Sequence, residues 1–431
     1  VSMPAVGDPV LYTPHAPPAD SLAAAGAVSG VSVAPPRPLT TMAARRDWRG
    51  RVGAGYLVVS PEGASTLRQP TFDARVDHAD DWLDLHADVR GRSTSTAGVT
   101  DNEARVYRLS MTVHDARSSR RFTLGRQVLS AAPGAAFFDG GVGEIDRGAW
   151  TFGLFGGGTP EPDDFSPSFA MVQTGAFIRA RHARDRGALS ATIGFLDARY
   201  RGTIDRDMVF VDASYTSLST SAFLAQEIDL NPGWKRDLGD PAVSATATFL
   251  HARQTFGRRI AWDGGFDNRR NVREARDRIT AETEFDDRYR QGAWTGLRWE
   301  PSPWLAVGGS GHYSGGLPHA TRSVTGTAVI RYPGARNLSL RLRGTRMDGG
   351  ADGWMRILEI DWGAGVGRVI GRAGWELWYD ANGMTRTSVD WQGLELERPV
   401  GRHVYAYLLG EHRGGDPGRT LQSQAGLSYS F

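Results

Sequence analysis

The chain of 431 residues contains no cysteine. Disulfide bonds and thiolate metal sites are therefore excluded, and so is haem attached through a CxxCH motif. Lysine is almost as rare: Lys235 is the only one, and arginine supplies the rest of the 50 basic residues. Arginine keeps its charge when it is partly desolvated and pairs with carboxylates through two parallel hydrogen bonds. The positive charge of this chain is therefore suited to ion pairs within a protein wall.

Long apolar runs and the common catalytic motifs are also missing. No apolar run reaches the roughly 18 residues that a transmembrane helix requires. The sequence has no GxSxG, HExxH or Walker motif, and Gly156-Gly157-Gly158 lacks the lysine of a phosphate-binding loop. A net charge of +2 provides no basic field for nucleic acid. We therefore predict no enzymatic activity, no cofactor, no metal site and no nucleic-acid partner.

Residues 1–49 differ in composition from the rest of the chain. They contain many prolines and an Ala/Gly/Ser stretch at 21–32, without the alternation of apolar and polar residues seen later. Such a composition cannot bury a core. We predict a Pro/Ala-rich periplasmic tail over 1–49, followed by one domain over 50–431. The tail is expected to be a plug, a docking segment for an envelope protein, or a spacer.

From position 50 onward, short segments alternate apolar and polar residues between clusters of Gly, Pro, Asp, Asn and Ser. Segments 83–90, 106–114 and 338–345 show the pattern most clearly. Side chains alternate across a strand, so each segment has one apolar and one polar face. A soluble sandwich and a transmembrane barrel share this period. The number of segments predicts an all-β fold, an antiparallel up-and-down barrel of about 22 strands, within about 18 to 24.

The segment 421–431 places Leu427, Tyr429 and Phe431 on one face, with small or polar residues between them. This pattern resembles the C-terminal assembly signal of bacterial outer-membrane β-barrels. The resemblance implies a barrel in the outer membrane with both termini in the periplasm. It also implies contact with the lipid bilayer and recognition by the barrel-assembly machinery through these three residues.

Aromatic residues recur near the predicted strand ends. Tryptophan is enriched in β-structure generally, but this placement favours the aromatic girdles of a membrane barrel. The candidate girdle residues are Trp294, Trp299, Trp304, Trp354, Trp362, Trp375, Trp378, Tyr379, Tyr429 and Phe431.

The polar faces of the predicted strands mix arginine with carboxylates, including Asp361 and Asp390. Charges that line a pore set its ion preference, whereas cross-strand Arg–carboxylate pairs stiffen a wall. Both roles remain open. His86 and His114 are expected on neighbouring strands, as polar wall or loop residues. The predicted lumen-lining residues are Arg90, Arg108, Arg179, Arg181, Arg298, Arg341, Arg343, Arg372, Asp84, Asp88, Glu359 and Glu376.

One stretch carries a more specific pattern. Segments 124–127 (LGRQ), 137–140 (FFDG) and 150–157 (WTFGLFGG) follow one another. This run resembles alginate-export-type porins, which implies a substrate channel whose arginine-rich lumen passes acidic sugars. The carboxylates among the predicted lumen residues depart from that pattern.

These observations favour a porin-like outer-membrane channel for passive passage or export of small polar or charged solutes. The alternative is a structural or interaction barrel that anchors or completes a larger envelope complex for secretion or export. In that case, residues 1–49 would bind an envelope partner. A lumen that conducts ions would favour the channel.

Overall fold

The computed structural model describes residues 47–115, 119–129, 137–161, 165–184, 187–275, 290–315, 320–332, 334, 337–349, 352–365, 367–379, 385–416 and 418–431. These residues form a closed antiparallel barrel of 22 strands. The strands are β1 (Asp47–Pro61), β2 (Leu67–Ala79), β3 (Leu83–Thr96), β4 (Val99–Asp115), β5 (Arg120–Val128), β6 (Phe137–Arg147), β7 (Trp150–Gly158), β8 (Met171–Arg184), β9 (Gly187–Tyr200), β10 (Thr203–Ser217), β11 (Thr220–Leu230), β12 (Val243–Phe256), β13 (Ile260–Arg269), β14 (Arg290–Ser302), β15 (Leu305–Gly315), β16 (Thr321–Arg331), β17 (Leu338–Asp348), β18 (Asp352–Ala364), β19 (Gly367–Tyr379), β20 (Arg386–Val400), β21 (Val404–Gly415) and β22 (Thr420–Ser430).

The barrel closes where β1 pairs with β22. Their register runs from Arg51 opposite Ser430 to Pro61 opposite Thr420, and β1 pairs with β2 on its other side. Phe431 continues the seam, because its backbone N–H donates to the carbonyl of Gly50 and its own carbonyl accepts from the Gly50 N–H. Closure pairs the backbone groups that an open sheet would leave exposed at its edges. The predicted barrel of 22 strands is confirmed.

Connections differ in length between the two ends of the barrel. At the end where β1 begins and β22 ends, which we call the terminal end, β10–β11 and β14–β15 are joined by the short segments 218–219 and 303–304. The opposite end, which we call the loop end, carries the long segments 159–170, 231–242 and 270–289. Both strand termini of the barrel therefore lie at the end with the short turns.

Tight turns also occur at the loop end. Ala97 and Gly98 join β3 to β4 with φ angles of 52° and 82°. Positive φ at both central residues is the geometry of a type I′ hairpin turn, which follows the twist of the two strands. Glycine at the second position adopts this conformation without a steric penalty.

The loop end also carries a short helix, α1 (Gly233–Asp237), within the β11–β12 connection. In the described part of the chain, no helix has the length and apolar character needed to cross a membrane. β1 begins at Asp47, three residues before the predicted domain start at 50. The rest of the predicted tail, residues 1–46, lies outside the described residues. Segments 276–289 and 380–384 lie outside them as well.

Candidate functional site: the polar face of the wall

The cross-strand register divides the wall into two faces. One face, here called the apolar face, exposes large hydrophobic side chains such as Leu342, Leu358 and Leu394, which are 44%, 38% and 50% exposed. The alternate positions, here called the polar face, carry charged side chains such as Arg341 and Glu359, which are register partners. Large exposed apolar surfaces mark contact with another apolar phase or with a partner.

All of the predicted lumen-lining residues lie on strands and share the polar face. Their neighbours in sequence occupy the apolar face, as Leu297 and Trp299 do on either side of Arg298. The residues are Asp84, Asp88 and Arg90 on β3, Arg108 on β4, Arg179 and Arg181 on β8, Arg298 on β14, Arg341 and Arg343 on β17, Glu359 on β18, and Arg372 and Glu376 on β19.

An ion-pair chain crosses β17, β18, β19 and β20. Glu359 accepts from Arg341 at 3.1 Å and from Arg372 at 3.1 Å, and Arg372 reaches Glu395 at 3.0 Å. We call Arg341, Glu359, Arg372 and Glu395 the ion ladder, and β17–β20 the ladder sector. Opposite charges that face each other across strands stabilise a sheet modestly. The ladder thus alternates positive and negative charge around the wall.

A second set of ion pairs runs beside the ladder. Arg368 donates to both oxygens of Asp361, at 2.8 and 2.7 Å, and its Nη1 lies 3.5 Å from Glu397. The fork geometry of the Arg368–Asp361 pair is the strong form of an arginine–carboxylate contact. Glu395 and Glu397 alternate with Leu394 and Leu396 in the sequence. This alternation is the signal in the sequence from which the polar-face position of both glutamates could have been predicted.

The strands β2, β3 and β4 carry a cluster that includes both predicted histidines. His86 Nδ1 lies 2.6 Å from Asp77, and His114 Nε2 lies 2.6 Å from Asp84. His86 is on β3 and His114 on β4, as expected. Each imidazole has its own carboxylate partner, so the two histidines belong to separate pairs.

The other predicted residues have varied partners. Arg90 pairs with Asp88 at 3.1 Å, and its guanidinium lies 4.6 Å from the centre of the Tyr107 ring. Arg298 pairs with Glu300 at 2.5 Å. Further contacts are those of Arg108 with Ser110, of Arg179 with Thr192 and the Phe177 ring, and of Glu376 with the indole N–H groups of Trp378 and Trp391.

Three predictions about facing are wrong in the structure. Trp378, a candidate girdle residue, lies on the polar face, where its indole N–H donates to Glu376 at 3.2 Å. Asp390 lies on the apolar face, because its register partner Trp375 lies on that face. The neighbouring polar-face residue of β19, Glu376, pairs with Val389 instead. Trp294, a candidate girdle residue, lies on the polar face: its ring lies 5.8 Å from that of Phe249 and stacks on His251 at 6.3 Å. Gly265 leaves the space for this indole, because a Cβ atom there would lie 2.2 Å from Trp294 Cζ2.

The polar face of β6–β10 carries a cluster of buried apolar side chains beside its charged residues, which include Arg179 and Arg181. Phe138, Met208 and Phe210 are fully buried. Three phenylalanine rings in this region lie over a glycine of a neighbouring strand: a Cβ atom would lie 2.2 Å from the ring of Phe177 at Gly153 and from that of Phe210 at Gly194, and 2.4 Å from that of Phe155 at Gly175. Interiors packed to this density resist changes in volume. The cluster comprises Leu129, Phe138, Val142, Phe155, Phe177, Leu196, Ala198, Met208 and Phe210.

A buried ion cluster lies next to this packing, on β10, β11 and β12. Arg206 donates to both oxygens of Asp229, at 2.9 and 2.7 Å, and to Glu227 at 2.8 Å. Thr246 donates a further hydrogen bond to Asp229 at 2.8 Å. Asp229 is 1% exposed. A buried carboxylate is tolerated when it is paired and hydrogen-bonded in this way. We call β6–β12 the packed sector.

The segment that carries α1 is attached to the same strands. The indole of Trp234 donates to the carbonyl of Ile204 at 2.8 Å, and Asn231 donates to Ser244 at 2.8 Å. Lys235 is 1% exposed. Burial lowers the pKa of Lys235, and the carboxylates of Asp229 and Asp205 oppose that shift.

The β13–β14 connection reaches the same place. The backbone N–H of Ala275 donates to Asp205, and Arg270 pairs with Asp240 in the α1 segment. Asp205 is 3% exposed. These contacts join two loops of the loop end to β10. Sequence patterns did not predict this attachment, because its partners are separated by up to 70 positions.

The stretch that resembles alginate-export-type porins lies on parts of β5, β6 and β7. Arg126 is 7% exposed, and its guanidinium donates to both oxygens of Asp139, at 2.7 and 2.6 Å. It also donates to the carbonyl of Phe165 at 2.6 Å. The arginine of this stretch therefore holds a loop against the wall.

The residues of the predicted assembly signal lie on the apolar face. Leu427, Tyr429 and Phe431 are 55%, 48% and 44% exposed. The Phe431 ring covers Gly50, where a Cβ atom would lie 2.3 Å from Phe431 Cζ. Recognition of these residues by the assembly machinery stays a prediction.

Comparisons with known proteins show the fold. No family model matches the chain, and no curated protein matches it by sequence. Among solved structures, the P pilus usher (PapC) translocation pore matches with a TM-score of 0.57 and 12% identity, over 89% of this chain and 99% of that one.

Two further solved structures are similar. One is a chain of the E. coli P pilus tip assembly intermediate PapC-PapD-PapK-PapG, with a TM-score of 0.52 and 12% identity over 91% of this chain and 62% of that one. The other is Pseudomonas aeruginosa OccK7 (OpdD), with a TM-score of 0.48 and 11% identity over 89% and 98%. The similarity to the PapC translocation pore shows the fold of this chain, a closed antiparallel β-barrel, and its location in the outer membrane stays a prediction.

Proposed function

We propose that this barrel is a porin-like channel for small polar or charged solutes. In this proposal the polar face lines the lumen, the apolar face meets lipid, and the terminal end faces the periplasm. The ion ladder is the observation that carries the proposal. A continuous chain of charged groups opposite exposed Leu342 and Leu358 is the arrangement expected of a wall with water on one side and lipid on the other.

The ladder gives the proposed channel its local field. Arg341 and Arg372 alternate with Glu359 and Glu395 around the wall. Paired charges of both signs produce strong local fields without a large net potential, and side chains that line a pore set its selectivity through such fields. The proposed solutes are accordingly polar or zwitterionic as well as singly charged.

The packed sector contributes shape to the proposed channel. The α1 segment is held to β10–β12 by Trp234, Asn231 and the contacts around Asp205. A segment tied by several hydrogen bonds to the wall is a fixed feature of the mouth. We propose that it narrows the loop end on the side of the packed sector.

Planar-bilayer recordings of the purified full chain test the proposal. We expect stepwise ionic currents and, under a salt gradient, a measurable reversal potential. Arg341→Gln/Arg372→Gln leaves Glu359 and Glu395 without their positive partners, so the reversal potential is expected to shift toward cation preference. Arg199→Gln is the matched control: Arg199 lies on the apolar face and pairs with Asp197 at 2.9 Å, so the reversal potential is expected to stay unchanged.

Two results would contradict the channel. One is a folded, inserted barrel that carries no current. The other is an equal shift of the reversal potential for the ladder variant and for Arg199→Gln, because the polar face would then not line the conducting path.

A second candidate is a structural or interaction barrel within an envelope complex. The similarity to PapC, one structure of which is an assembly intermediate with PapD, PapK and PapG, is the observation that favours it. Deletion of residues 1–46 tests this candidate, because β1 begins at Asp47. Loss of a co-purifying envelope protein with an unchanged conductance supports a docking segment, and a raised conductance supports a plug.

A further inference from the structure

Two arginines on the apolar face differ from the other charges of the wall. Arg346 lies near the loop end of β17 and Arg356 near the loop end of β18, and both are exposed. They share a face with the exposed Leu342, Leu358 and Ile360. A charge on the lipid-facing side of a barrel is unfavourable, most strongly at the membrane midplane. An anionic partner would therefore stabilise these guanidinium groups.

That partner is not supplied by the described part of the chain. No carboxylate lies within ion-pair distance of either guanidinium there, and neither arginine has any further contact with a charged group. Arg199 provides the contrast, because it also lies on the apolar face but pairs with Asp197 at 2.9 Å. The positive charge of Arg346 and Arg356 is thus open to a ligand.

The two arginines are close together and each stacks on a tryptophan. Gly344 is the register partner of Arg356, and Arg346 is the next residue on the same face of β17, so the two side chains are diagonal neighbours. The Arg346 guanidinium lies 4.7 Å from the centre of the Trp354 ring, and the Arg356 guanidinium lies 5.7 Å from that of Trp375. Stacking holds a guanidinium flat and leaves its N–H fork available.

A hollow in the apolar face begins beside Arg356 and extends toward β15. Its volume is about 740 Å³. The floor is made of small residues: Gly326 and Gly344 are register partners, and a Cβ atom at either would have no neighbour within 4 Å. Leu342, Leu358, Ala328 and Ala373 border the hollow on the apolar face, and Trp375 lies beside them. An open apolar depression of this kind fits a hydrocarbon chain that lies along the wall.

Tryptophan and arginine near the loop end of β18 are arranged as in the headgroup region of a membrane. On the apolar face of β18 the order from the terminal end to the loop end is Trp362, Ile360, Leu358, Arg356 and Trp354. Tryptophan is enriched at both membrane interfaces, so the two indoles bracket an apolar band with Arg356 at its loop-end boundary. Arginine binds phosphate through two parallel hydrogen bonds.

We propose that Arg346 and Arg356 bind the phosphate of an anionic lipid headgroup, and that the adjoining hollow holds one of its acyl chains. The proposal rests on the assignment of the apolar face to lipid and not on conduction through the lumen. It adds a specific lipid site to the barrel. The charge of the arginines, their separation from carboxylates and the glycine-floored hollow all point to one amphiphilic ligand.

Native mass spectrometry of the full chain in a neutral detergent tests the proposal, with phosphatidylglycerol, phosphatidylcholine and inorganic phosphate as probes. We expect phosphatidylglycerol to remain bound and phosphatidylcholine to be lost at the same collision energy. Arg346→Gln/Arg356→Gln is expected to weaken phosphatidylglycerol binding roughly 5- to 30-fold, since each interfacial arginine contributes about 1 kcal/mol. Arg199→Gln is the matched control and is expected to change the affinity less than twofold.

A second variant separates lipid from free anion. Gly344→Leu fills the hollow without changing charge, and it is expected to weaken phosphatidylglycerol binding. Three results would overturn the lipid site: inorganic phosphate competing at equimolar concentration, equal losses for the arginine variant and for Arg199→Gln, or equal retention of the two phospholipids. A non-conducting barrel that retains phosphatidylglycerol through Arg346 and Arg356 would contradict the channel alone.

Discussion

The packed sector and the ladder sector of the same wall are built on different principles. In β17–β20, the polar face carries ion pairs between side chains that are about a sixth to a half exposed, such as Arg341 at 44% and Glu359 at 17%. In β6–β12, the polar face carries fully buried rings, the buried Arg179 and a buried ion cluster, with Asp229 at 1% exposure. The ladder therefore contributes charge, whereas the packed sector contributes rigidity.

Glycine explains how the packed sector accommodates large rings. Gly153 and Gly194 lie on the polar face directly under Phe177 and Phe210, whereas Gly371 and Gly410 lie on the apolar face and have no atom within 4 Å of an added Cβ. In the ladder sector, a Cβ atom at the polar-face Gly374 would likewise lie 2.2 Å from the Trp391 ring. The face on which a glycine lies therefore decides whether it makes room for a ring or leaves open surface.

The largest difference between the sectors is expected from Asp229→Asn. The substitution removes the fully buried one of the two carboxylates that pair with Arg206 and leaves only Glu227, and the loss of one member of a buried ion pair destabilises by about 3–5 kcal/mol. The free energy of unfolding, measured by urea titration in lipid vesicles, is expected to fall by that amount. A loss below about 1 kcal/mol would show that the buried cluster is not the structural centre of the packed sector.

A smaller difference is expected between two glycine substitutions. In Gly194→Ala the new Cβ would lie 2.2 Å from Phe210 Cζ and 2.7 Å from the carbonyl oxygen of Ala176. Overpacking of this kind destabilises by about 1–3 kcal/mol. Gly371→Ala in the ladder sector is the matched control and is expected to leave the urea midpoint unchanged. Equal midpoints for both variants would show that the packing of Phe210 over Gly194 does not stabilise the packed sector.

The smallest effect on stability is expected from Arg341→Gln. The side chain is 44% exposed and its partner Glu359 keeps Arg372, so the free energy of unfolding is expected to change by about 0–1 kcal/mol. The measurement is the same urea titration, run at low and high salt because screening weakens exposed pairs. A loss comparable to that of Asp229→Asn would mean that the ladder is as structural as the buried cluster.

Much of the wall could be predicted from the sequence, because the barrel imposes a period of two residues. Leu338, Leu340 and Leu342 alternate with Ser339, Arg341 and Arg343, and the structure keeps each set on one face. Asp390, Trp294 and Trp378 were misplaced for a physical reason. Alternation is strict only where one face meets an apolar phase, and near strand ends or over a glycine either face accepts a polar or aromatic side chain.

The sequence by itself determined the number of strands, the closed antiparallel topology and the alternation of the ladder sector. These follow from local rules, because turn residues and a two-residue period act over a few positions. Only the tertiary structure showed three features: the buried cluster around Asp229, the attachment of α1 to the wall, and the proximity of Arg346 and Arg356 to the glycine-floored hollow. Their partners are far apart in sequence and meet only when the barrel fixes the register of neighbouring strands and folds the loops onto the wall.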